Sequence, residues 1–237
     1  METGAKLYEF LTSLNGGANI DVDAATILID NAKTILEEER PWEVLRKIDR
    51  SKSVSTDNTW QTEIDLSTIE DFSRFYANDD GIIIKLFDGY DRVEYYYLKT
   101  FDQRLEYKNV SNTCVYDENS KKLYLNGSVP FAGTLWIPYV STTEEIDLTS
   151  EDPIWTVFPK RFLPLLAYYA VGIFKGAIDY DSINKMMLPG NRDTLLMLKN
   201  AMEKWDNEKQ LASIQSNDPS EVAGGYPRSG AIDRDNY

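Results

Sequence analysis

The sequence predicts an α+β protein: a small helical bundle, split in sequence, with an inserted antiparallel β-sandwich or barrel-like domain and an extended C-terminal tail. Three observations predict it. Apolar residues recur with a period near 3.6 before residue 50 and again after residue 150. Between them the period falls to 2, in short runs rich in β-branched and aromatic residues. Beyond Ser216 no period survives. The chain therefore divides into a first helical part (1–49), a β insertion (50–150), a second helical part (151–215) and a tail (216–237).

Residues 5–14 form a short helix, ended by Asn15-Gly16-Gly17. Asp21 or Asp23 caps a longer one, in which Ala25, Leu28, Ile29, Ala32, Ile35 and Leu36 make one apolar stripe. Glu37, Glu38 and Glu39 read as the solvated end of that helix. Pro41 breaks it, and "WEVLRKI" reads as a further helical turn with Trp42, Leu45 and Ile48 inward.

The β insertion holds six or seven strands. They are "NTWQTEIDL", "GIIIKLFDG", "RVEYYYLK", "RLEYKNV", "NTCVYDEN", "KKLYLNG" and "GTLWIPYV", punctuated by turns such as Asp88-Gly89. "LSTIEDFSRFY" interrupts them with Ile69, Phe72, Phe75 and Tyr76 at helical spacing, a short helical turn packed on the sheet.

In the second helical part, Phe162, Leu165, Leu166, Tyr169, Ala170, Ile173, Phe174 and Ala177 form one wide stripe. Pro159 suits a first helical position, and Pro164 delays or bends the regular helix. "LPGN" at 188–191 is a loop, and Asn191 or Asp193 starts a last helix with Leu195, Leu198, Met202 and Trp205 on one face. The tail "SNDPSEVAGGYPRSGAIDRDNY" has the composition of a segment that orders only on a partner.

Composition removes several function classes. The net charge is −14, and no segment is basic: 10 acids face 5 bases over residues 1–49, 17 face 10 over 50–150, and 12 face 10 over 151–237. That balance repels nucleic acid and anionic membrane. There is no histidine, which removes histidine-based triads and imidazole metal sites. The single cysteine, Cys114, lies in strand-like text and reads as a small buried hydrophobe. The first twenty residues lack the basic-then-apolar pattern of a signal peptide. The longest uncharged apolar run, Phe162 to Phe174, is thirteen residues; a membrane span takes about twenty.

Chemistry has few candidates. Asp79, Asp80, Asp88 and Asp91 could pair as acid and base or hold calcium, but the EF-hand spacing is absent and Asp-Gly has a local turn role. No phosphate-binding glycine loop is present, and no cofactor or catalytic residue is expected. Trp60, Tyr95, Tyr96, Tyr97 and Trp136 offer an aromatic face that a carbohydrate- or receptor-binding tail module would use. A carboxylate hydrolase is a third class, without supporting spacing.

The segments "LIDNAKTILEEERPWEVLRKID", "LSTIEDFSRFY", "KLFDGYDRVEYYYL" and "EDPIWTVFPKRFLPLLAYYAV", with the long β text between the last two, are similar in order and character to tailed-bacteriophage head–tail connector (adaptor) proteins. The likeness covers residues 22–213. It implies a structural virion protein at the head–tail interface, present in the host cytoplasm during assembly. It further implies a homo-oligomeric ring, a dodecamer, below the portal protein and above tail or nozzle proteins, with DNA passing through its channel unbound. In such a ring Tyr168 and Val171, outside the apolar stripe, are candidates for contact with the next copy. Tyr226, Pro227, Arg228 and Tyr237 are candidate anchors of the tail on a neighbour.

Overall fold

A computed structural model describes residues 2–77 and 81–215. It is a mixed α+β protein. In chain order the elements are α1 (Gly4–Leu14), α2 (Val22–Glu38), β1 (Arg46–Asp49), β2 (Ser53–Val54), β3 (Gln61–Asp65), β4 (Phe72–Phe75), β5 (Ile83–Phe87), β6 (Val93–Lys99), α3 (Arg104–Tyr107), β7 (Thr113–Asp117), β8 (Lys122–Asn126), β9 (Gly133–Ser141), α4 (Leu163–Phe174), α5 (Tyr180–Met186) and α6 (Pro189–Gln215). Two compact units divide these elements: Met1–Leu45 with Thr142–Asn217, and a second built on Arg46–Ser141. Among the described residues no helix is long and apolar enough to cross a membrane.

In the helical unit, α1 is capped by the Thr3 hydroxyl and ends at Gly16 and Gly17, both at positive φ, where a glycine turn costs least. The Asp21 carboxylate caps α2 by accepting from the amides of Asp23 and Ala24. Ala25, Ile29, Ala32 and Leu36 turn inward, as their spacing predicts. After Pro41 the chain makes only a single 3₁₀ turn, Glu43–Leu45, and then enters β1. The expected helix over "WEVLRKI" is thus a strand for half its length, because Arg46–Asp49 find a ladder partner in β9.

Helix α4 is the centre of this unit and is packed by α1, α2, α5 and α6. A 3₁₀ turn over Lys160–Phe162 precedes it, and Pro164 sits in its first turn, where the missing N–H leaves no hydrogen bond unmade. From Leu165 to Gly172 every residue is buried. A helix buried all round has no solvent face for a stripe to mark. Its Gly172 lets α5 approach closely: a Cβ there would lie 2.8 Å from the Ile183 side chain. Helix α6 begins at Pro189, inside the predicted loop, and buries Leu195, Met202 and Asp206.

The β unit is a curled mixed sheet, a half-barrel, with strand order β1-β9-β5-β6-β7-β8-β3; β2 and β4 also pair with β9. All described pairings are antiparallel except β6 with β7. A parallel pair needs a crossover, and the text "RLEYKNV" supplies it as α3 rather than as a strand. "LSTIEDFSRFY" differs too: its second half is β4, not a helical turn. The register of β4 on β9 shifts between Phe72 and Arg74. That irregularity lets Phe72 and Phe75, three apart, both pack on the sheet core, which mimics helical spacing in the sequence. Alternation holds along β3, β6 and most of β8, whereas β9 is buried without a break from Ile137 to Ser141. Ile84, Leu86, Tyr96, Cys114, Leu123, Leu125 and Leu135 fill the inner face.

Candidate functional site

The end of α2 is the most organised polar region of the helical unit. Glu37, expected in solvent, is only 5% exposed. It accepts a hydrogen bond from the Trp155 indole N–H at 2.9 Å and one from the Thr143 hydroxyl. One turn earlier, Lys33 donates to the carbonyls of Thr143 and Glu144 at 3.0 and 2.8 Å. A buried carboxylate and a buried ammonium therefore fix the chain that leaves β9, and each has partners that offset its desolvation. Trp155 adopts φ +50°, an unfavourable region for a bulky residue. Its ring lies 4.3 Å from that of Phe158.

Two residues on, Glu39 accepts from the Tyr169 hydroxyl at 2.6 Å and pairs with Lys199 at 3.1 Å. Burial, then the Glu39 charge, pushes the Tyr169 pKa far up, so this hydroxyl stays a donor. The Lys199 ammonium also sits 3.6 Å over the Tyr180 ring. Arg40 pairs with the fully buried Asp206 at 2.9 Å, and Asp206 accepts from the Glu43 amide at 2.6 Å. These contacts wall a cleft of about 750 Å³ between α2, the start of α5 and α6. Its lining carries five carboxylates, Glu38, Glu39, Asp179, Asp181 and Glu203, against Arg40 and Lys199, with Ile35 and Ile178 as apolar wall.

The β unit presents a different surface. Register places Ile83, Lys85 and Phe87 of β5 on one face with Val93, Tyr95 and Tyr97 of β6 and Thr134 and Trp136 of β9. Tyr95 and Tyr97 are 42% and 43% exposed. The Arg50 guanidinium lies 4.0 Å over the Trp136 ring, and Phe87 meets that ring edge-on at 5.5 Å. Lys85 stands beside Tyr95, and partial burial lowers its pKa. Tyr96, grouped with its neighbours in the sequence, points the other way into the core. Trp60 is exposed, outside the strands.

The remaining candidates fall out as follows. Tyr168 and Val171 are 5% and 2% exposed, and Tyr168 packs edge-on against Phe10 of α1. Both side chains are used inside the unit, which removes them as surface contacts with another copy; α1 covers the face that the helical stripe left open. Tyr226, Pro227, Arg228 and Tyr237 lie outside the described residues, as do Asp79 and Asp80. Asp88 closes its hairpin turn, accepting from Arg92 Nε and from the amides of Tyr90 and Arg92. The Arg92 hydrogen bond holds its carboxyl below the usual range. Among the described residues no three acidic or cysteine side chains gather as a metal site. Cys114 is fully buried, and burial pushes its thiol pKa up.

Exposed apolar residues at the turns around α5 carried no distinguishing sequence signal. Phe174 and Ile178 are 54% and 82% exposed, and Leu188 is 68% exposed. Phe174 belongs to the predicted stripe and yet emerges at the last residue of α4. No protein-family model matches the chain, and no curated protein matches it.

Proposed function

We infer that the chain is a structural virion protein, a head-to-tail adaptor that forms a ring below a portal and a channel for genome passage. The supporting observation is the insertion itself. One compact helical unit is assembled from both ends of the sequence, and a complete β unit leaves and re-enters it at Leu45 and Thr142. This is the order of parts that the resemblance to connector proteins implies. In this reading the helical units stand side by side as a bundle ring, and the barrel-like units reach neighbouring components. The tail, through Tyr226, Pro227, Arg228 and Tyr237, docks on an adjacent protein. The net charge of −14 fits a channel past which DNA must slide without adhering.

The test is particle symmetry by electron microscopy together with mass in solution, alone and with portal and tail proteins. A ring at the head–tail interface is the expected result. A chain that stays monomeric with every virion component sinks the proposal.

The aromatic face of β5, β6 and β9 supports a second reading, a carbohydrate- or receptor-binding tail module. Against it, the outward positions between the rings hold Lys85 and Thr134 rather than the carboxamides and carboxylates that read sugar hydroxyls. Saturable glycan binding by the full chain, lost in Tyr97→Ala, would favour this second reading.

A further inference from the structure

The strip on the β unit and the cleft on the helical unit are complementary. Among the outward positions of β5, β6 and β9 that form the strip no carboxylate occurs, and Arg50 and Lys85 bring positive charge. The cleft holds five carboxylates against two cations and has an isoleucine, Ile178, 82% exposed on its wall. Each surface thus offers apolar area and the charge that the other needs. The strip also has the composition of an interface centre, with aromatic rings and an arginine whose planar head is already oriented over Trp136.

We propose that the occupant of the strip is a second copy of this chain: the cation-bearing aromatic strip of one copy docks on the acidic cleft of the next. This rests on the ring reading and adds to it a contact from the β unit of one copy to the helical unit of the next. A contact between two different surfaces is heterologous. Each copy then uses its strip for one contact and its cleft for the other, so the contact repeats and closes into a ring when the rotation allows. Arg50 and Lys85 meet Glu38 and Asp181 across the joint, and Tyr95 and Tyr97 cover Ile178. Opposed patches of this kind set the encounter rate and the register of docking.

Charge reversal in the full chain tests it. Variant A is Arg50→Glu with Lys85→Glu; variant B is Glu38→Lys with Asp181→Lys. Thermal melting of each variant checks folding. Sedimentation over a concentration series is read for parent, A, B and an equimolar mixture, in the presence of portal protein if the parent needs it as a template.

The parent associates. A and B alone dissociate, each with a dissociation constant raised at least about tenfold. The mixture associates again, because the acidic strip of A meets the basic cleft of B and the unaltered surfaces of the two also match. If A or B fails to fold, Tyr95→Ser with Tyr97→Ser replaces it and is expected to weaken association by a similar factor.

Variants that form rings like the parent, or a mixture that stays dissociated, overturn the proposed surfaces and leave the ring reading standing. A parent that is monomeric under every condition overturns both. Saturable retention of a single-stranded oligothymidine by the parent, lost in A, assigns the strip to nucleic acid instead and overturns the inference.

Discussion

Replacing Glu37 by alanine is expected to cost about 3 kcal/mol of stability. Glu37 is 5% exposed and accepts from the Trp155 indole N–H at 2.9 Å and from the Thr143 hydroxyl. Each donor left without a partner in the interior costs about 1–3 kcal/mol. Removing a buried carboxylate also removes its desolvation, which offsets part of that sum. The strained Trp155 backbone, at φ +50°, loses the contact that holds it, and strain of this kind is worth about 1–3 kcal/mol. A net loss of about 3 kcal/mol lowers the melting temperature by about 6–12 °C for a chain of this length.

Glu37→Gln keeps an acceptor oxygen for the indole and should lose about 1 kcal/mol. Trp155→Phe keeps the packing on Phe158 and removes only the N–H. Urea unfolding of the parent, both single variants and the double variant Glu37→Ala/Trp155→Phe measures the coupling. About 1 kcal/mol or more of non-additivity is expected between the two sites. A Glu37→Ala variant within about 0.5 kcal/mol of the parent, or single effects that simply add, refutes the network as described.

Gly172→Ala should destabilise by about 1–3 kcal/mol, since its Cβ would lie 2.8 Å from Ile183 side-chain carbons. Ile183→Ala in the same chain should make the glycine substitution nearly neutral, and chemical denaturation of the set reads this. Tyr169→Phe removes the 2.6 Å hydrogen bond to Glu39, at a cost of about 1.5–3 kcal/mol by the same assay. Burial raises the pKa of Asp71, but hydrogen bonds from Lys47 and Tyr139 outweigh it and hold the carboxyl below its ordinary value of 3.8. Its folded pKa is depressed, so its contribution is present above pH 3.8 and is lost as pH falls through the folded value. The melting-temperature gap between parent and Asp71→Asn should therefore be constant near neutrality and close below about pH 4. A gap that widens on acidification contradicts the assignment.

The β insertion was legible because alternation is local. Ile84 and Leu86, or Leu123 and Leu125, must share a face whatever pairs with them. Helix α2 was legible for the same reason, with Asp21 supplying its cap. The candidate surfaces were legible only in part: Tyr95, Tyr97 and Trp136 stood out as an aromatic face, whereas the acidic cleft left no signal. The opposed charge of cleft and strip depends on which faces are left uncovered. Glu37 and Lys33 show the difficulty: in sequence they are surface residues of a charged helix, and only Trp155, Thr143 and Glu144, more than a hundred positions away, make them interior.

The sequence by itself determined the alternating core of the sheet, the glycine stop of α1, the cap and break of α2, and an acidic chain without histidine. These follow from backbone period, turn chemistry and composition, each a property of neighbouring residues. Only the tertiary structure decided three other matters. The "RLEY" of "RLEYKNV" became a short helix in the crossover that the parallel pair of β6 and β7 needs. Phe72 and Phe75 share a core because a register shift realigns them. Tyr168 became interior because Phe10 of α1 closes over it, and Val171 is buried with it in the packed helical unit. Each is settled by a partner distant in the chain, and periodicity carries no record of that partner.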